Sequence, residues 1–178
     1  MMKKFSDLLQ QNKFAEFSLH NFFMCALAEE FLAWYFYSTV GKFLFGKERP
    51  SVEKFFAETA DDEYEDHAEW LMKRMDELDM NPGELYDPSL WNKFAVHPYD
   101  ASIFTGQVDT RTAVIKAINM ESEAIETYMA FELYTRDKDV VTNEKIKEIL
   151  SDEQEHLTEL KNFFQDFESS KECQSDDL

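Results

Sequence analysis

Glu153 and His156 stand three residues apart in a stretch free of glycine and proline, so a helix there turns both side chains to one face. A carboxylate oxygen and an imidazole nitrogen so placed can hold one metal ion. Alone the pair is a weak signal, because in a chain rich in glutamate such spacing usually labels a solvated face. Its weight comes from repetition. Glu30-x-x-Ala33-x-x-x-Tyr37 recurs as Glu121-x-x-Ala124-x-x-x-Tyr128, and His67-x-x-x-Leu71 recurs as His156-x-x-x-Leu160. Glu30 and His67 are 37 residues apart, Glu121 and His156 are 35 apart. Two copies of one helical hairpin would place two carboxylates and two histidines near a common axis. Mixed carboxylate and imidazole ligation suits Fe(II), with positions left open for oxygen or peroxide.

Four long helical segments must position these groups. The first runs from about Phe14 to Phe45, apolar nearly all round, and Gly46 and Pro50 mark its end. The second begins near Ser51 and stops before Asn81-Pro82-Gly83, with Phe55, Phe56, Ala60, His67, Leu71 and Met75 at helical intervals. Residues 81–109 lack a sustained period and carry most of the remaining punctuation. A connection this long suits a crossover along a bundle, so that segment three starts at the same end as segment two. Segment three spans Thr110 to Thr135, segment four spans Thr142 to Phe167, and the short link between them makes them antiparallel neighbours. The expected architecture is an all-α, antiparallel four-helix bundle in one domain, residues 1–167. A polar tail at 168–178 is expected to be disordered.

Composition narrows the function. The chain has 178 residues, with 18 basic against 37 acidic side chains, a formal charge of −19. That balance opposes nucleic acid and anionic membranes and suits a protein that attracts cations. The most apolar window, Phe22 to Phe45, contains Glu29, Glu30 and Lys42, a poor membrane span. Cys25 and Cys173 are too few for a disulfide framework, which points to the cytoplasm. Cys25 reads as a small buried group, and most of the 17 phenylalanines read as core.

The order Glu, histidine motif, Glu, Glu-x-x-His on successive helices resembles the ferritin-like di-iron carboxylate superfamily, in its bacterioferritin and Dps-like ferritin branch. His67-Ala68 followed by Arg74-Met75, Leu78 and Pro82 is similar to the second helix of bacterioferritins, and the run Asp152 to His156 is similar to their fourth. The resemblance implies Glu30 and Glu121 as terminal carboxylates, Glu153 as a bridging carboxylate, His67 and His156 as imidazole ligands, and Tyr37 beside the metals. It implies a di-iron centre; manganese or zinc can occupy the same ligands. Haem is not expected, since Glu65 occupies the position of the haem methionine.

One position departs from that pattern. The residue three before His67 is Tyr64, where the resemblance calls for glutamate. Glu63, four before His67, lies about 40° from it around a regular helix axis and can serve as the second bridge. Tyr64 approaching as a phenol, or a site short of one ligand, are the other readings, and a one-residue π-type bulge would decide among them. The implied activity is ferroxidase: oxidation of Fe(II) to Fe(III) by O2 or H2O2 for iron storage or detoxification, in a homo-oligomer that can close into a hollow cage. A non-storage di-iron oxidase or peroxide reductase is the alternative. An acidic helical interaction protein with a vestigial metal site is the second.

Overall fold

The computed structural model describes residues 17–44, 50–81 and 110–175, and all regular structure among them is helical. Helix α1 is Leu19–Leu44. The second rod of the bundle is composite: α2 (Pro50–Asp61), a π-helical segment (Asp62–Ala68) and α3 (Glu69–Glu77). Helices α4 (Thr110–Thr135) and α5 (Val140–Ser175) complete the four.

Local chemistry sets the ends. Pro50 opens α2, where its fixed φ suits a first helical residue and its missing N–H costs nothing. The second rod closes in a Schellman turn, with Met80 N–H donating to the Met75 carbonyl at 2.8 Å and Asp79 N–H to Asp76 at 3.1 Å. Asp79 takes the left-handed conformation this turn needs, φ 53°. Asp139 caps α5 by accepting from the Thr142 N–H at 3.1 Å and the Thr142 hydroxyl at 2.6 Å. That cap starts α5 two residues earlier than periodicity alone suggests. Arg74 donates to both Asp139 carboxylate oxygens at 3.1 Å, tying the end of the second rod to the start of α5. No glycine or proline follows Phe167, so α5 carries on through the polar stretch to Ser175, past the expected end at Phe167. Adding a residue to an existing helix needs no packing partner.

The apolar side chains form two clusters. In one, Phe22 and Phe23 of α1 meet Phe131 of α4, with ring centroids 5.4 and 5.0 Å apart, and pack with Leu71, Met75, Ile146 and Ile149. In the other, Phe36 and Tyr37 pack with Phe56, Ala60, Ala113, Ala117 and Leu160. Burial of each such phenylalanine contributes about 1.5–3 kcal/mol. Early α1 thus meets late α4, and late α1 meets early α2, so α1 runs antiparallel to both. Helix α3 ends in the first cluster and α4 begins in the second, so the second and third rods run parallel, as the crossover topology requires. The connection from 82 to 109 itself lies outside the described residues. Along every rod a buried polar layer separates the two clusters.

Candidate metal centre

That layer holds all six predicted ligands. Glu30 comes from α1, Glu63 and His67 from the π-helical segment, Glu121 from α4, and Glu153 and His156 from α5. All are buried, and the four glutamates are each 1% exposed.

The groups form two half-sites. In the first, His67 Nδ1 lies 3.2 Å from Glu30 Oε2, 3.4 Å from Glu63 Oε2 and 3.4 Å from Glu153 Oε1. In the second, His156 Nδ1 lies 3.5 Å from Glu63 Oε1, 3.8 Å from Glu153 Oε2 and 4.0 Å from Glu121 Oε2. Within each group of four residues, one ligand atom per residue lies within 4.8 Å of the others. Glu63 and Glu153 belong to both groups and turn one oxygen toward each imidazole, the geometry of a bridging carboxylate.

The backbone explains why Glu63 reaches this position. On an α-helix a residue four before His67 overshoots a full turn by about 40°, and one three before falls about 60° short. A π-helix bonds i to i+5 and has a wider turn, so the four-residue neighbour no longer overshoots a full turn and the three-residue neighbour is carried further away. The Glu69 N–H donates to the Tyr64 carbonyl, five residues back, as that geometry demands. Glu63 to His67 is therefore a Glu-x-x-His motif with one residue inserted and absorbed by the wider turn. Tyr64, displaced from the centre, packs its ring 5.2 Å from Trp34 and 6.1 Å from Phe31. Glu65 and Asp66 are exposed.

Two phenols hold the terminal carboxylates. Tyr37 donates its hydroxyl to Glu121, and Tyr128 donates to Glu30, so each tyrosine serves the glutamate of the other half. Tyr37 was legible as a site residue; Tyr128 was visible only as its counterpart in the repeat. Glu29, beside Glu30, accepts from the Thr127 hydroxyl at 2.9 Å. Cys25 is buried, and burial first, then the charge of Glu29, push its thiol well above the ordinary range, where it is inert.

The electrostatics of this layer call for cations. Glu63 Oε1, both Glu153 oxygens and His156 Nδ1 are buried without a hydrogen-bond partner. Such orphaned atoms are costly, and a positive ion between them removes the cost. Burial raises Glu30 and Glu121 well above the carboxylate range, and the charges of Glu63 and Glu153 add to the rise. Burial also pushes Glu63 and Glu153 up, but the flanking imidazoles outweigh it and hold both below their ordinary values. Burial pushes the imidazoles down, yet the surrounding carboxylates raise both, His156 to about 10. Without metal these shifts favour the charged form of both imidazoles and of Glu63 and Glu153, and the neutral form of Glu30 and Glu121.

A recess of about 490 Å³ opens between the second rod and α5, and both imidazoles line it together with Asp62, Asp66 and Asp152. The two imidazoles thus border a recess rich in carboxylates.

Residues 25–170 match the Ferritin-like domain family, and the chain belongs to it. Among solved structures, a dodecameric thioferritin, the bacterioferritin-related protein from Bacteroides fragilis, matches with a TM-score of 0.71 and 27% identity. The match covers 87% of this chain and 89% of that one. No match was found among curated proteins.

Proposed function

We propose that this protein is a ferroxidase, binding two Fe(II) ions at Glu30, Glu63, His67, Glu121, Glu153 and His156 and oxidising them to Fe(III) with O2 or H2O2. The observation that carries the reading is the pair of ligand groups sharing Glu63 and Glu153, with orphaned oxygens buried between them. Two irons held on shared carboxylates supply together the two electrons that reduce O2 to peroxide or peroxide to water. Four carboxylates cancel the charge of two divalent ions in a site where unpaired charge would be costly. Tyr37 and Tyr128 set the orientation of the terminal carboxylates, and Tyr37 is the phenol we place among the catalytic residues. Manganese and zinc fit the same donor set, so iron is chosen for its redox chemistry and for the family's name.

The product is stored or rendered harmless as Fe(III). The dodecameric relative supports a homo-oligomer that closes into a shell. Among the described residues no helix is long and apolar enough to cross a membrane. The two cysteines of the chain, too few for a disulfide framework, favour a reducing cytoplasm.

The test is stopped-flow oxidation of Fe(II) by O2 and by H2O2, followed in the near ultraviolet. Wild type is expected to outpace Glu153→Ala by on the order of 100-fold, because that carboxylate serves both half-sites. Equal rates, or a rate no faster than in buffer, would remove the ferroxidase reading.

A further inference from the structure

The repeat that relates α1 to α4 holds at the ligand layer and fails beside it. Glu30 and Tyr37 of α1 correspond to Glu121 and Tyr128 of α4, and the two phenol-to-carboxylate bonds link these helices. One residue earlier in each place the chemistry differs. Glu29 precedes Glu30 and Thr127 precedes Tyr128, and the Thr127 hydroxyl donates to Glu29 Oε1 at 2.9 Å. The matching residues of the other half are Met120 and Phe36, which both pack in the second apolar cluster. The link from Glu29 to Thr127 thus stands beside Glu30 and has no counterpart beside Glu121.

Packing gives no reason for a carboxyl group at this place. Its Oε2 is buried without a hydrogen-bond partner, a cost that a methionine would not carry. Its bond to Thr127 offers another reason. Successive residues of a helix point about 100° apart. Bonds from Glu29 and Glu30 to Thr127 and Tyr128 therefore fix how α1 is turned against α4 as well as how near it lies. Thr127 is 1% exposed and Tyr128 is fully buried, so both donors are sheltered from water.

We propose that Glu29 is a positioning residue for the half-site of Glu30 and His67: bonded to Thr127, it steadies the neighbouring Tyr128–Glu30 bond and so fixes the Glu30 carboxylate for an ion. The half-site it serves is the more compact, with carboxylate oxygens 3.2 to 3.4 Å from His67 against 3.5 to 4.0 Å from His156. The inference rests on the two-ion reading above.

A purely structural tie between helices, or a third ion held on Glu29 Oε2, are the rival roles. Anaerobic titration with Co(II), whose visible bands report coordination, and thermal melts of the metal-free protein separate them. Wild type is expected to take about two ions per chain. Glu29→Met, which installs the residue of the other half, is expected to weaken one binding step about 10-fold and leave the other. Its metal-free melting temperature should not fall, because the orphaned oxygen goes with the carboxyl and the Thr127 hydroxyl can turn to the carbonyl four residues back. Glu29→Gln keeps an acceptor for Thr127 and should recover most of the affinity. Glu29→Met should still weaken binding in a His156→Ala background and have no effect in a His67→Ala background. In Tyr128→Phe, where the bond that Glu29 steadies is gone, it should add little.

A loss in Glu29→Gln equal to that in Glu29→Met would assign the effect to charge and overturn the positioning role. So would equal weakening of both steps, a lowered melting temperature with unchanged Co(II) binding, or a third Co(II) in wild type that Glu29→Gln abolishes. Fewer than two Co(II) per wild-type chain would remove the two-ion reading and this inference with it, a failure distinct from that of Glu29 alone.

Discussion

In α5, Glu153 and His156 stand three residues apart on an unbroken α-helix, whereas Glu63 and His67 stand four apart across the π-helical segment Asp62–Ala68. Both pairs nonetheless present one carboxylate and one imidazole to the same buried layer. The comparison separates ligand position from ligand spacing: a wider turn lets the second rod carry an extra residue without rotating its flanking apolar faces out of the core. Phe56 and Ala60 before the segment, and Leu71 and Met75 after it, are all buried. The half-sites also differ in reach. Around His67 the carboxylate oxygens lie at 3.2 to 3.4 Å, around His156 at 3.5 to 4.0 Å. The half-site with the regular motif on its own helix is thus the looser one, so regular spacing is not what makes a half-site compact.

The sharpest way to break this comparison is to delete one residue from each rod. Removal of Glu65 should convert the π segment to α-helix with Glu63 and His67 at regular spacing, and the protein should fold and bind metal. Removal of Gln154 offers α5 no such slack. It rotates Ile146 and Ile149 relative to Leu160 by about 100° and should cost more than about 5 kcal/mol or abolish folding. Denaturant melts of the two variants check this, and equal damage from both deletions would contradict the account of the π turn.

A smaller effect separates the metal-free layer from the loaded one. Glu30, Glu121, His67 and His156 all have raised pKa values, so the folded metal-free chain holds protons that the unfolded chain releases. Its stability should therefore fall as pH rises from the unfolded carboxylate value of 4.5, and fall further from the unfolded histidine value of 6.5 to about 10 for His156. Glu63 and Glu153 have the opposite sign, but their contribution is lost only as pH falls below 4.5. Loading with two divalent ions should release protons from Glu30, Glu121 and the two imidazoles, so metal-linked stabilisation should increase with pH. Thermal melts from pH 5 to 9 and proton release in two buffers of different ionisation enthalpy measure both trends. A metal-free melting temperature that rises across that range would contradict the protonation pattern.

The smallest effect concerns the two phenols. Tyr37→Phe and Tyr128→Phe each remove a buried hydrogen bond to a terminal glutamate, and each should lower stability by roughly 1–3 kcal/mol. Near-equal losses in urea melts would sharpen the internal twofold relation of the halves. A loss confined to Tyr37→Phe would show that the relation is one of sequence only.

Most of the centre was legible from residue types and spacing. The repeat of glutamate, alanine and tyrosine in the first and third segments, and of histidine and leucine in the second and fourth, brought four candidate ligands to one layer, and the three-residue spacing to His156 added Glu153. Glu63 was within reach on a regular helix, but the π turn that aligns it was not readable. The run from Asp62 to Ala68 contains no glycine or proline and reads as ordinary helix. The wider turn aligns Glu63 and His67 on one face and leaves the flanking apolar residues buried, and both are matters of tertiary packing. The contacts of Asp152 with His67 and of Asp62 with His156 depend on how closely two rods approach, which no spacing within one rod encodes. The course of α5 past Phe167 was missed because a helix end was inferred from lost amphipathicity, although nothing in the sequence stops the hydrogen-bond ladder there.

The central claim is that Glu63, through the π turn, has taken the bridging place left open by Tyr64. Anaerobic Fe(II) titration of wild type, Tyr64→Phe and Glu63→Ala side by side tests it most directly. The account predicts saturation near two irons per chain for wild type and Tyr64→Phe, and well below two for Glu63→Ala. Two irons bound with undiminished affinity by Glu63→Ala, or a loss in Tyr64→Phe instead, would contradict it.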